Sequence, residues 1–185
     1  MFIQTQDTPN PATVKFLPGQ DVLSSGKTRD YASVSEATYA PLAQRLFGIV
    51  RVFLAQDFVS VTKADDTDWS MLKPMILAAL MEHLSTGQPV VIESDADEQS
   101  AKPAVEDDEI TTQIKTLLDE RVRPMVAMDG GDIIFDRFED GIVYLQMQGA
   151  CSGCPSSAVT LKSGIENMLR HYIPEITEVR QSAEF

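Results

Sequence analysis

Apolar positions in this chain form two sets of periodic runs, separated by a stretch that has almost none. In the first set, a short strand is predicted over Phe2 to Thr5, with a turn at Pro9-Asn10-Pro11. A second strand, Thr13 to Leu17, stops at Pro18-Gly19. Ala40 to Phe47 reads as a helix with Leu42, Leu46 and Phe47 on one side. Two alternating runs follow, Ile49 to Ala55 and Phe58 to Lys63, and their closeness around Gln56-Asp57 predicts a hairpin. Asp68 is placed to cap the next helix, in which Leu72, Ile76, Ala79, Leu80 and His83 recur at helical spacing. Pro74 would fall in the second turn of that helix and blurs its start.

The second set opens with a helical stripe of Ile110, Ile114, Leu117, Leu118 and Val122, which Pro124 should kink or end. Gly130-Gly131 offers the positive φ that a helix exit needs. Ile133 to Phe138 and Ile142 to Met147 flank Asp140-Gly141, a strong hairpin signal. After a loop from Gly149 to Pro155, Ala158, Leu161, Ile165, Met168, Leu169 and Tyr172 define an amphipathic helix that Pro174 ends. Ile176 to Arg180 can form a last strand. The fold class is α+β, and this second half runs helix-strand-strand-helix-strand, with two helices on one sheet face.

Charge sharpens the division. Residues 1–92 carry 7 bases against 9 acids, residues 93–108 one base against 7 acids, and residues 109–185 7 bases against 12 acids. The middle segment has little to bury and repels itself, so it reads as an acidic flexible linker between two small domains. The net charge of −13 over 185 residues argues against nucleic-acid binding, which needs clustered Lys and Arg, and favours solubility. No apolar run approaches the ~18 residues of a membrane span, so no membrane is expected. The N-terminus lacks a signal-peptide pattern, and an initiating Met placed directly before the first strand points to a bacterial cytoplasm. The mature form of a eukaryotic protein would belong in the mitochondrial matrix.

Candidate chemistry concentrates in Gly149-Ala150-Cys151-Ser152-Gly153-Cys154-Pro155, which holds both cysteines of the chain. Thiolates bind metal, and three features favour them here. The helix starting at Pro155 turns its positive end toward Cys154. Gly149 and Gly153 let backbone amides face sulfur, and Pro155 suits a first helical turn. A Cys-x-x-Cys turn can place both sulfurs on one metal centre. Spacing alone leaves a thioredoxin-type dithiol and inert buried thiols open. Ligand number then matters: a 2Fe–2S or 4Fe–4S cluster and a structural zinc each usually take four ligands, and two symmetry-related chains would supply four thiolates. The histidines do not help; His83 suits core packing and His171 the C-terminal end of its helix. Met125, Met128, Met147 and Met168 read as core or interface filler.

Asp129-Gly130-Gly131-Asp132, the cysteine loop through Ser157, and Thr160-Leu161-Lys162-Ser163-Gly164-Ile165-Glu166 together resemble the C-terminal domain of NifU, which Nfu proteins share. Met1 to Pro11, Lys15-Phe16-Leu17-Pro18-Gly19, and Leu46-Phe47 before a hairpin resemble the N-terminal domain of two-domain Nfu proteins. The resemblance implies an iron–sulfur cluster scaffold or carrier rather than an enzyme. It implies that Cys151 and Cys154 bind a 4Fe–4S cluster, with 2Fe–2S as the alternative type, between the chains of a homodimer. It also implies delivery to apo-proteins such as lipoyl synthase and aconitase. Gly130, Gly131 and Gly153 match structural glycines, and the cysteine-free N-terminal domain is associated with partner recognition and stability. The rivals to this reading are a dithiol–disulfide oxidoreductase and a zinc-bridged structural dimer.

Overall fold

The structure, a computed structural model, describes residues 2–23, 28–33, 35–46, 51–92, 108–152 and 155–182, with the backbone alone at 155–158. It divides into two compact units, Met1–Ser100 and Ala101–Phe185. The acidic segment predicted as a linker lies outside the described residues except for Asp108. That residue belongs to the second unit: its carboxylate accepts the Thr111 N–H at 2.7 Å and caps a helix.

The first unit is a five-stranded antiparallel sheet in the order β1-β2-β5-β4-β3 with two helices. The strands are β1 (Gln4–Asp7), β2 (Thr13–Leu17), β3 (Arg29–Tyr31), β4 (Arg51–Leu54) and β5 (Val59–Thr62). The turn between β1 and β2 is closed by Asn10, whose side chain accepts the Ala12 N–H and whose carbonyl accepts the Thr13 N–H. β4 and β5 form the predicted hairpin, although its expected start at Ile49 lies outside the described residues. β3 was not expected. Its Arg-Asp-Tyr sequence has no strand periodicity, and its conformation comes from pairing with β4 and from an Asp30–Arg51 ion pair at 2.8 Å.

One face of this sheet carries Val14, Phe16, Val52, Leu54, Val59 and Val61 into the core, against α1 (Pro41–Arg45) and α2 (Trp69–Thr86). Asp68 caps α2 by accepting the Ser70 N–H at 2.8 Å, and Gly87 ends it at φ 65°. Pro74 sits inside α2 without moving its start. His83 is fully buried, with Nε2 3.2 Å from the Pro89 carbonyl, and burial lowers its pKa. It is a packed core histidine.

The second unit runs α3 (Glu109–Leu117), α4 (Arg123–Met128), β6 (Gly131–Glu139), β7 (Ile142–Gly149), α5 (Pro155–Tyr172) and β8 (Glu178–Gln181), the expected α+β order. β6 pairs antiparallel with β7, and β7 pairs parallel with β8. The hairpin turns on Asp140 (φ 50°) and Gly141 (φ 79°), as a two-residue turn matching strand twist demands. Pro124 neither ends nor breaks its helix. A single π turn, Leu118–Val122, precedes it and joins α3 to α4. Proline offers no N–H and crowds the carbonyl four residues back, so a widened turn relieves the conflict. The same turn keeps the core stripe aligned. Ile114, Leu118, Val122 and Val126 are all buried at a spacing of four, which would drift by ~40° per step round a regular helix. An extra residue in one turn sets the stripe back. Those side chains meet Ile133, Val143, Leu145, Met147, Ile165, Leu169 and Val179 in a single core. Tyr172, expected on the buried stripe of α5, is exposed, and Ile173 takes the core position.

Candidate metal centre

The cysteine loop leaves the end of β7 where that strand pairs with the start of β6. Gly131 and Gly149 are register partners there. Gly130, at φ 85°, lets the chain swing from α4 into β6, and its carbonyl accepts the Ala150 N–H at 3.1 Å. Gly149, at φ 63°, turns the chain out of β7, and its carbonyl accepts the Ser152 N–H at 3.1 Å. These bonds fix the backbone on both sides of Cys151. Gly131 plays a different part from its neighbour: its requirement is space. A Cβ there would lie 2.6 Å from the Gln148 carbonyl oxygen, 2.7 Å from Cys151 Sγ and 3.2 Å from Cys151 N. The Cys151 sulfur therefore rests against bare backbone.

Cys151 is a free thiol, only 6% exposed. Burial pushes its pKa up to about 12, with the Asp129 and Asp132 carboxylates adding to the effect. Without a bound cation, desolvation and two nearby negative charges therefore keep the Cys151 thiol protonated. Iron or another cation would have to displace the proton and supply the missing positive charge. Pro155 opens α5 as expected. Gly153 and Cys154 lie outside the described residues. Among the described residues, no three His, Cys, Asp or Glu side chains gather into a metal site.

The sequence reading missed the support beneath Cys151. Asp132, almost fully buried, takes a fork from Arg123, with Nε to Oδ1 at 2.8 Å and a terminal nitrogen to Oδ2 at 2.7 Å. The same carboxylate accepts the Ile133 N–H at 2.8 Å. Arg123 also reaches Asp119, 3.2 Å away one turn back, and Asp132 raises its pKa. The clamp ties α4 to the first residues of β6, beside Gly131. The Gly-Gly-Asp run was the only signal of it, since nothing in the helical stripe marked Arg123. Of the other candidates, Met147 is buried in the core, Met168 packs at its margin, and Met125 and Met128 are exposed. His171 is exposed and lies edge-on to Tyr172 at 5.1 Å.

Two family models match the chain. Residues 3–87 match the Nfu/NifU scaffold protein N-terminal domain and residues 114–180 match the NifU-like domain, so together they take in most of the sequence. The chain belongs to the two-domain Nfu family. It is 50% identical over 186 residues to a Drosophila ananassae protein named NFU1 iron-sulfur cluster scaffold homolog, mitochondrial, covering 98% of this chain and 64% of that one. It is 52% identical over 187 residues to NifU-like protein 4, mitochondrial, of Arabidopsis thaliana, covering 98% of this chain and 66% of that one. This Nfu chain thus spans just under two thirds of the length of these relatives. A solution structure of a NifU-like protein from Saccharomyces cerevisiae superposes on 51% of this chain and 87% of its own, at 27% identity and a TM-score of 0.47. Among the described residues, no helix is long and apolar enough to cross a membrane.

Proposed function

We propose that this Nfu chain is an iron–sulfur cluster scaffold and carrier. Its cargo is a 4Fe–4S cluster held between two chains by Cys151 and Cys154 of each, and passed to apo-proteins that offer cysteines of their own. The observation that carries the reading is the seat of Cys151 at the β6–β7 junction, inside the segment that matches the NifU-like domain. Relatives named iron-sulfur cluster scaffold support the class of cargo. Two cysteines per chain against about four ligands per cluster support sharing between two chains. The chain's own contribution is positional. Gly130 and Gly149 fix the loop backbone, Gly131 leaves room for the sulfur, and the Arg123–Asp132 clamp anchors the strand start beneath it.

A dithiol oxidoreductase would need a reactive, low-pKa attacking thiol. Such a pair would form and break a disulfide without holding iron or sulfide. Anaerobic reconstitution with iron and sulfide tests the proposal. The native chain should yield a brown protein, and Cys151→Ser and Cys154→Ser should each lose the cluster while staying folded. A single serine variant that keeps full iron and sulfide would overturn the ligand assignment.

A further inference from the structure

An ordinary surface helix buries one stripe and surrounds the rest with charge. α2 does not. Its inward side holds Ile76, Leu80 and His83. Its outward side presents Met71, Pro74, Met75, Ala78 and Met81, all exposed, over ~15 Å of helix at 1.5 Å per residue. Met71 is 71% exposed, Met75 67% and Met81 43%. The one charged residue on this outward face, Glu82, is held by Arg45 at 3.2 Å, and the flanking Lys73 reaches Asp7 at 3.5 Å. Unbranched, polarizable methionines in a contiguous exposed row adapt to many apolar surfaces and mark an interaction site.

Charge says what covers the row. At its N-terminal end lie the exposed Asp65, Asp66 and Asp68. A second copy of a chain carrying −13 would meet like charge there. Residues 93–108 of this chain are also acidic and have no large apolar side chain to offer. We propose that the outward face of α2 is a docking surface for a basic amphipathic helix of a partner protein, which seats its apolar stripe on the methionine row and its Lys or Arg side chains against the aspartates. The surface lies within the cysteine-free unit and gives that unit a contact of its own with partners.

The test uses the full-length apo-protein with methyl-labelled methionine. The probe is a helical peptide of leucine and lysine, with leucines at i, i+3, i+4 and i+7; its leucine–glutamate counterpart is the control. The lysine peptide should shift the Met71, Met75 and Met81 methyl signals saturably, and the glutamate peptide should not. Met71→Gln with Met75→Gln leaves the net charge unchanged and touches no core residue, and should weaken binding by about tenfold or more. Asp65→Asn with Asp66→Asn should weaken it severalfold and reduce its salt dependence. Lysine-peptide binding that the methionine pair does not alter would overturn the proposal, because it would reflect net charge alone. Equal binding of the glutamate peptide would overturn it too. So would self-association of the chain that the methionine pair abolishes, since a second copy would then be the occupant.

Discussion

Replacing Gly131 by alanine adds one methyl group where the β6–β7 junction meets the cysteine. Two of its three nearest atoms would be backbone, the Gln148 carbonyl oxygen at 2.6 Å and Cys151 N at 3.2 Å, and the third is Cys151 Sγ at 2.7 Å. Ordinary contact for a Cβ begins near 3.4 Å, so the strand pair or the loop must yield by about 0.8 Å. The backbone on the far side is pinned by the bonds from Ala150 to Gly130 and from Ser152 to Gly149. Overpacking of this kind costs about 1–3 kcal/mol, partly offset by the ~0.4–1 kcal/mol that alanine removes from unfolded-chain entropy. A net loss of about 1–2 kcal/mol is expected. Gly164 is the internal control, because it lies exposed in α5 with nothing within 4 Å of a Cβ. Gly164→Ala should stabilise the same unit by about 0.5–1 kcal/mol. Urea unfolding of the full chain, read by amide NMR signals of residues 108–182, measures both. Fluorescence of Trp69, the only tryptophan, reports the first unit and should not move. Gly131→Ala should also reduce cluster loading, because the sulfur must shift. Equal stability of the two alanine variants would refute the packing argument. Full loading in a destabilised Gly131→Ala chain would refute the link from packing to site.

Arg123→Gln should destabilise the second unit by about 2 kcal/mol, below the usual figure for a broken buried pair because Arg123 is partly exposed. Asp132→Asn in the same chain should recover part of the loss, and a double-mutant cycle in urea that shows no coupling would contradict the clamp. The buried Cys151 thiol binds its proton more tightly folded than unfolded, so its contribution is present in full below about pH 9 and lost as pH rises toward 12. The apo second unit should therefore weaken across that window by up to about 4 kcal/mol. Subtracting the profile of Cys151→Ser isolates the effect, and identical profiles would contradict it.

Elements with a period or a turn signature are legible in the sequence. Asp140-Gly141 located the β6–β7 hairpin, and Asp68 marked the start of α2. What escaped depends on partners distant in sequence. β3 is a strand because β4 lies beside it, and its three residues carry no pattern. The π turn before Pro124 reconciles a proline with a core stripe spaced by four, a compromise no local rule announces. Gly131 looked like a second flexible glycine, yet its role is clearance for Cys151, which only the register with Gly149 reveals. The same distance effect hides the charge around the cysteine: the Asp-Gly-Gly-Asp run brings Asp129 and Asp132 near a buried thiol. The α2 periodicity identified its buried face correctly, while the methionines between those positions carry no period of their own to mark them.

Whether two chains share one cluster is measured by anaerobic sedimentation combined with iron and sulfide analysis, before and after removal of iron by a chelator. The proposed arrangement predicts a dimer carrying about four irons per two chains, which dissociates when the iron is withdrawn because −13 per chain opposes association. A monomer that carries four irons would contradict it.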